Sequence, residues 1–201
     1  KATVFMPIGA SLPKYLATQN YGAQVVLEGA VFAEALKAAQ EHAAKKGAIF
    51  IPPYDNRDVV LGQGTVGLEI LDQLEGVDSI LVAIGGGGLA AGVAVAAKLK
   101  AKAQGRKIKI IGVQSANAAS YVPSIKSGKV TQIATKPTIA DGIAVRRPVP
   151  EALSDMVGLV DDVLLVSDGA IKDAMRAIFQ KAGLVVEPAG AVGVAAAMEH
   201  A

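Results

Sequence analysis

The run Ala83-Ile84-Gly85-Gly86-Gly87-Gly88-Leu89-Ala90 joins an apolar stretch to an alanine-rich one. Glycine loses more backbone freedom on folding than any other residue, and one or two suffice for a turn. Four in a row therefore point to a second requirement. With a strand before them and a helix after, Gly85 to Gly88 offer converging backbone N–H groups beside a helix N-terminus, where unpaired donors and the helix dipole favour an anion. A phosphate suits such a loop. It is not a P-loop, because no Lys follows the glycines, and the spacing is not G-x-G-x-x-G.

Few other residues compete for chemistry. The chain has no cysteine, which excludes disulfides and thiolate metal sites and fits a reducing compartment. Its two histidines, His42 and His200, are isolated and read as surface residues, so no transition-metal pair is expected. There is no nucleophile elbow of the G-x-S-x-G type.

The elements that must position the loop follow from periodicity. Ala2 to Met6 reads as a strand stopped by Pro7, Leu12 to Tyr21 as a helix closed by Gly22, and Gln24 to Leu27 as a short strand. Val31 to Lys46 reads as a helix with Phe32, Leu36, Ala39 and Ala43 on one face, and Ala48 to Ile51 as another strand. Pro52-Pro53-Tyr54-Asp55-Asn56 is turn-rich and marks the best domain boundary, giving domains 1–51 and 52–201.

Beyond it the units lengthen. Helices are expected over Val59 to Leu74, Leu89 to Gln104, Ala118 to Ser127, Glu151 to Val157, Asp168 to Ala182 (Ser167 as N-cap) and Gly190 to Glu199. Strands are expected over Ser79 to Ile84, Lys107 to Val113 and Asp162 to Val166, with Val130 to Asp141 irregular. Strands alternating with helices imply βαβ units and parallel sheets.

Composition sets the outer limits. With 52% hydrophobic and 19% charged residues, the 201-residue chain has the makeup of a globular fold rather than a disordered one. The net charge of +2, without basic runs, gives nucleic-acid binding no support. Apolar stretches break well short of the roughly 20 residues of a membrane span. The first residues, Lys-Ala-Thr-Val-Phe-Met-Pro, lack an initiator Met and a signal-peptide pattern and open inside a strand, as expected of a chain cut from something longer.

GGGGL after a strand resembles the phosphate loop of fold-type II pyridoxal-phosphate enzymes. VFMP at 4–7, LPK at 12–14 and YGAQVVLEG at 21–29 resemble the small domain of threonine dehydratases. IPPYDNRDVVLGQGT at 51–65, GLEIL at 67–71, TIADGIAV at 138–145 and VVEPAGAVG at 185–193 extend the likeness, in order, through the chain. The catabolic threonine/serine dehydratases are the nearest subgroup.

The resemblance implies an α/β fold of two open, twisted, mainly parallel three-layer α/β/α sheets, like that of tryptophan synthase β and here incomplete. Residues 1–51 would be the remainder of the small domain and 52–201 an incomplete cofactor-phosphate domain. It implies pyridoxal 5'-phosphate as cofactor, threonine or serine as substrate, β-elimination of water to a 2-oxo acid and ammonia, a homo-oligomer (dimer or tetramer), a cytoplasmic location, and a place in amino-acid metabolism such as isoleucine biosynthesis. Gly85, Gly86, Gly87, Gly88 and Leu89 match the family's phosphate loop. Gly142, in Ala140-Asp141-Gly142, matches a position lining the cofactor ring, and Glu187 an acidic residue near it; Glu187 read alone is a carboxylate at a helix N-terminus.

Departures from the family pattern are equally informative. The Schiff-base lysine lies in a family segment upstream of the VFMP strand, so no catalytic residue is assigned in this chain, and independent turnover is not expected of it. Lys14 and Lys98 are the lysines considered as substitutes, and both read as solvated. Some family members bind a divalent cation beside the loop after the Val113 strand, but Gln114 to Ser120 lack the carboxylates a hard cation prefers, and no metal is assigned. Two alternatives stand beside the dehydratase: a serine racemase or other enzyme of this fold type, and a non-catalytic fragment that binds phosphate.

Overall fold

A computed structural model describes residues 1–200. The chain divides into two compact units, Lys1–Ile51 and Pro52–Ala201.

In the first unit, strands β1 (Thr3–Met6) and β2 (Gln24–Leu27) pair in parallel, Thr3 opposite Gln24 through Met6 opposite Leu27. Helix α1 (Leu12–Asn20) connects them, with Tyr21 as its cap and Gly22 following in the left-handed region at φ 85°. Helix α2 (Phe32–Lys46) ends on Gly47, also left-handed, where a Cβ would cost energy. Among apolar residues of this unit, only Ala35 and Ala43 are buried. The expected face is thus corrected: Phe32 is exposed, Leu36 and Ala39 are half-buried, and Ala35 takes the inward place. His42 is likewise half-buried, its ring 5.2 Å from that of Phe5.

Ala48 to Ile51 is not a strand. Ala48 N–H bonds Ala43 O to close α2, and Ile49 and Ile51 are exposed. An apolar run becomes a strand only where a neighbour supplies the ladder, and none does among the described residues.

The second unit holds a parallel sheet in the order β3 (Ser79–Ala83), β4 (Lys109–Ser115), β5 (Asp162–Val166). Side chains of successive strand residues point to opposite faces. Ile80 and Val82, continued by Ile84, join one core with helices α3 (Arg57–Gln73), α4 (Gly88–Ala103) and α6 (Pro150–Met156). Leu81 and Ala83 pack against the other core, with α7 (Asp168–Ala182) and α8 (Pro188–His200). Both faces are covered, which is the three-layer arrangement expected. Gly112 in β4 makes room for Ile84, whose side chain a Cβ there would overlap.

Two helix starts are set by side-chain caps. Asn56 accepts from the N–H groups of Asp58 and Val59, starting α3 two residues before the expected Val59. Ser167 Oγ accepts from Ala170 N–H at 3.1 Å, as its N-cap assignment requires. Helix α5 (Tyr121–Ser127) is shorter than expected, and the segment between it and α6 is irregular apart from a 3-10 turn at Asp141–Ile143. No helix among the described residues is long and apolar enough to cross a membrane.

Candidate cofactor-phosphate site

The β3 ladder ends with Ile84 N–H bonded to Val113 O at 2.9 Å. The next three residues turn the chain into α4. Gly87 caps that helix at φ 99°, a left-handed value, and contributes no side-chain acceptor to the first-turn N–H groups. All four glycines are closely covered. A Cβ on Gly86 would overlap the Tyr54 ring, one on Gly87 the Tyr121 hydroxyl. On Gly88 it would lie 2.6 Å from Tyr54 O, and on Gly85 3.1 Å from Gly142 O. The sequence needs glycine here because the loop is held between Tyr54, Tyr121 and the Asp141–Ile143 turn.

What remains is a run of backbone donors at the N-terminus of a 16-residue helix. The donor set suits a phosphate: neutral N–H groups, a favourable dipole, and no side chain on the loop to compete.

Beside the loop lies a cavity of about 450 Å³ lined by Leu81, Leu89, Val93, Gly142, Ile143 and Glu187 among others. Three positions far apart in sequence, Leu89, Gly142 and Glu187, thus meet at one cavity. A Cβ on Gly142 would be 3.9 Å from Glu187 Oε1. Glu187 immediately precedes α8, and its carbonyl accepts from Gly190 N–H at 3.0 Å.

The irregular segment that carries Gly142 is pinned by polar side chains. Ser115 Oγ donates to Thr138 Oγ1 at 3.0 Å, and Thr138 donates to Asp168 Oδ1 at 2.6 Å. Asp168 Oδ2 accepts from Ile139 N–H, and Asn117 Nδ2 donates to Pro137 O. Sequence reading missed these anchors: Thr138, Asp168 and Ser115 are common residues whose meeting depends on the fold.

Tyr121 was missed as well. It has no exposed surface, and burial pushes its phenol up to about 12; the neighbouring Tyr54 adds to this and the Val149 N–H opposes it. Burial, with a smaller contribution from the Asp55 carboxylate, also raises Tyr54.

Neither lysine considered as a substitute is among the residues lining the cavity. Lys98 is ten residues into α4, about 15 Å along the axis from Gly88 at helical rise, and its ammonium pairs with Asp161 Oδ2 at 2.6 Å. Its side chain is about three-quarters buried and paired rather than freely solvated as expected. Lys14 is an exposed residue of α1 in the first unit. No lysine lines the cavity.

The cation position does not fit a metal. The Gln114 amide turns its NH₂ toward Ile84 O and Ala118 O, presenting donors where a cation needs acceptors. Among the described residues, no group of three or more His, Cys, Asp or Glu is placed to hold a metal ion.

Fold and loop together define an α/β protein with four closely covered glycines at the carboxyl end of a parallel strand, beside an apolar cavity. The whole chain, residues 1–201, matches the family described as pyridoxal-phosphate dependent enzyme, and the chain belongs to that family. It is 45% identical over 193 residues to the catabolic L-threonine dehydratase of Escherichia coli strain K12, covering 96% of this chain and 57% of that protein. The structure of the processed form of threonine deaminase isoform 2 from Solanum lycopersicum superposes with a TM-score of 0.88 at 36% identity, over 96% of this chain and 55% of that one. Maize serine racemase superposes equally well, at 0.88 and 34% identity, over 98% of this chain and 58% of that one. The chain spans about half the length of the curated relatives it matches.

Proposed function

We propose that residues 1–201 form the phosphate-holding part of a threonine/serine dehydratase that uses pyridoxal 5'-phosphate. The second unit would be the cofactor-phosphate domain and the first the remainder of a small domain. The glycine loop carries this reading: four covered glycines, Gly85 to Gly88, lead into the start of α4 with no side-chain cap on its first turn. Those N–H groups would hold the phosphate. Gly142 would lie along the cofactor ring, where its lack of a side chain leaves room, and Glu187 would face the same space.

When bound, the cofactor supplies an electron sink for loss of the α-proton and the β-hydroxyl of threonine or serine, giving a 2-oxo acid and ammonia. Leu81, Leu89 and Val93 would give the space beside it apolar walls. With no lysine lining the cavity, the covalent attachment would come from a residue outside this chain. Residues 1–201 alone are then expected to show no turnover. The proposed setting is a cytoplasmic homo-oligomer in amino-acid breakdown, which the identity to a catabolic dehydratase favours over isoleucine biosynthesis.

The test uses the full-length protein carrying this sequence. Purified with cofactor, it is expected to release 2-oxo acid from threonine or serine. Serine racemase is a second reading, favoured by the equal superposition on that fold. Release of D-serine from L-serine without 2-oxo acid selects it, and neither product rejects both.

A further inference from the structure

We infer that Gln114 and Tyr121 are positioning residues that aim the Gly85 and Gly87 N–H groups at the phosphate, which rests on the reading of the glycine loop given above. Both side chains lie at 0% exposure. Gln114 Nε2 donates to Ile84 O at 3.4 Å and to Ala118 O at 3.2 Å. Tyr121 OH donates to Gly86 O at 2.7 Å and accepts from Val149 N–H at 3.3 Å. The two braces are joined, because Tyr121 N–H donates to Gln114 Oε1 at 2.9 Å.

Peptide geometry gives the consequence. In a planar trans peptide, the carbonyl of one residue and the N–H of the next point in opposite directions, and every described peptide is trans. Holding Ile84 O toward Gln114 turns Gly85 N–H the other way. Holding Gly86 O toward Tyr121 does the same for Gly87 N–H. The Gly86–Gly87 peptide has glycine on both sides and meets little resistance to rotation without such a tie. Donors fixed before the anion arrives lose less freedom when it binds. The shorter Tyr121 bond is the stronger of the two ties.

The experiment compares affinity for pyridoxal 5'-phosphate with affinity for pyridoxal, which lacks the phosphate, in the full-length protein and its Tyr121→Phe and Gln114→Met variants. The ratio isolates the phosphate contribution, and thermal melts report folding separately. Tyr121→Phe is expected to lower the ratio about tenfold and Gln114→Met about threefold, with pyridoxal affinity unchanged. Variants that melt lower but keep the wild-type ratio would make both residues structural only and overturn the inference; should one variant not fold, the other decides. A wild-type protein that binds both compounds equally overturns the phosphate reading of the loop itself, a result distinct from variants that merely match a phosphate-selective wild type.

Discussion

Gly92 of α4 lies against Gly64 of α3 so closely that a Cβ on Gly64 would sit 3.1 Å from the Gly92 carbonyl oxygen, and one on Gly92 2.7 Å from the Gly64 nitrogen. The glycine loop opens α4, so this backbone contact helps set where the cradle stands. Alanine at Gly92 has only backbone to push against, and overpacking of this kind costs about 1–3 kcal/mol. Gly62, on the same helix as Gly64, has nothing within 4 Å of an added Cβ. Gly62→Ala is expected to raise stability by up to about 1 kcal/mol through helix propensity. Thermal melts of the two alanine variants should therefore move in opposite directions; a Gly92→Ala protein as stable as wild type removes the close crossing from the account.

The Lys98–Asp161 pair ties the middle of α4 to the start of β5. Asp161 also accepts from Ile110 N–H at 2.6 Å. Burial raises the Asp161 carboxyl, but the Lys98 ammonium and the Ile110 N–H outweigh it and hold the group below its ordinary value. A carboxyl lowered on folding stabilises the protein above its unfolded pKa and loses that contribution as pH falls through the folded value. Lys98→Met is expected to flatten the stability profile on the acid side, in melts taken at falling pH. Cofactor content should stay at the wild-type level, because Lys98 does not line the cavity. Loss of bound cofactor in this variant would reinstate Lys98 as an attachment point.

Most of the architecture was legible in the sequence because it rests on periodicity. The strand, glycine and helix order around Gly85–Gly88 needs only an apolar run, a change of period and four residues without side chains. The Ala48 to Ile51 segment shows the limit: an apolar run states no partner, and the ladder that would make it a strand is a long-range matter. Leu89, Gly142 and Glu187 were picked out by resemblance, and the fold brings all three to one cavity. Neither Tyr121 nor Gln114 showed its bracing role through periodicity. Their value lies in reaching carbonyls about 30 residues upstream, and spacing within a helix or strand says nothing of such contacts. A tyrosine after a strand-to-helix loop, in a chain with only four tyrosines, was the one available hint.

Tyr121 gives the protein an alkaline limit. With its phenol held up to about 12 by burial, against an ordinary value of 10.0, the folded state keeps its proton where the unfolded chain loses one. The stability this represents is complete below about pH 10 and declines as pH rises toward 12, on the order of 2–3 kcal/mol in all. Denaturant melts between neutral pH and pH 11 should show the decline in wild type and a smaller one in Tyr121→Phe. Equal alkaline slopes in the two proteins would mean that the phenol titrates normally.

Gln114 closes the loop after β4. Its amide satisfies Ile84 O, Ala118 O and Tyr121 N–H at once, so the loop after β4 closes with neutral hydrogen bonds alone. Chelator treatment of the full-length protein is expected to leave its melting temperature unchanged. Gln114→Glu reverses part of this. The carboxylate would face two carbonyl oxygens with no donor between them, next to the buried Ser120 Oγ, which has no hydrogen-bond partner among the described residues. Oxygens gathered in this way carry surplus negative charge and suit a hard cation. The variant should melt several degrees lower in chelator and recover on addition of millimolar Mg²⁺ or Ca²⁺, whereas wild type responds to neither. A variant indifferent to both cations would show that the carboxylate takes up a proton instead, while a wild type stabilised by them would show that the amide does not close the loop as described.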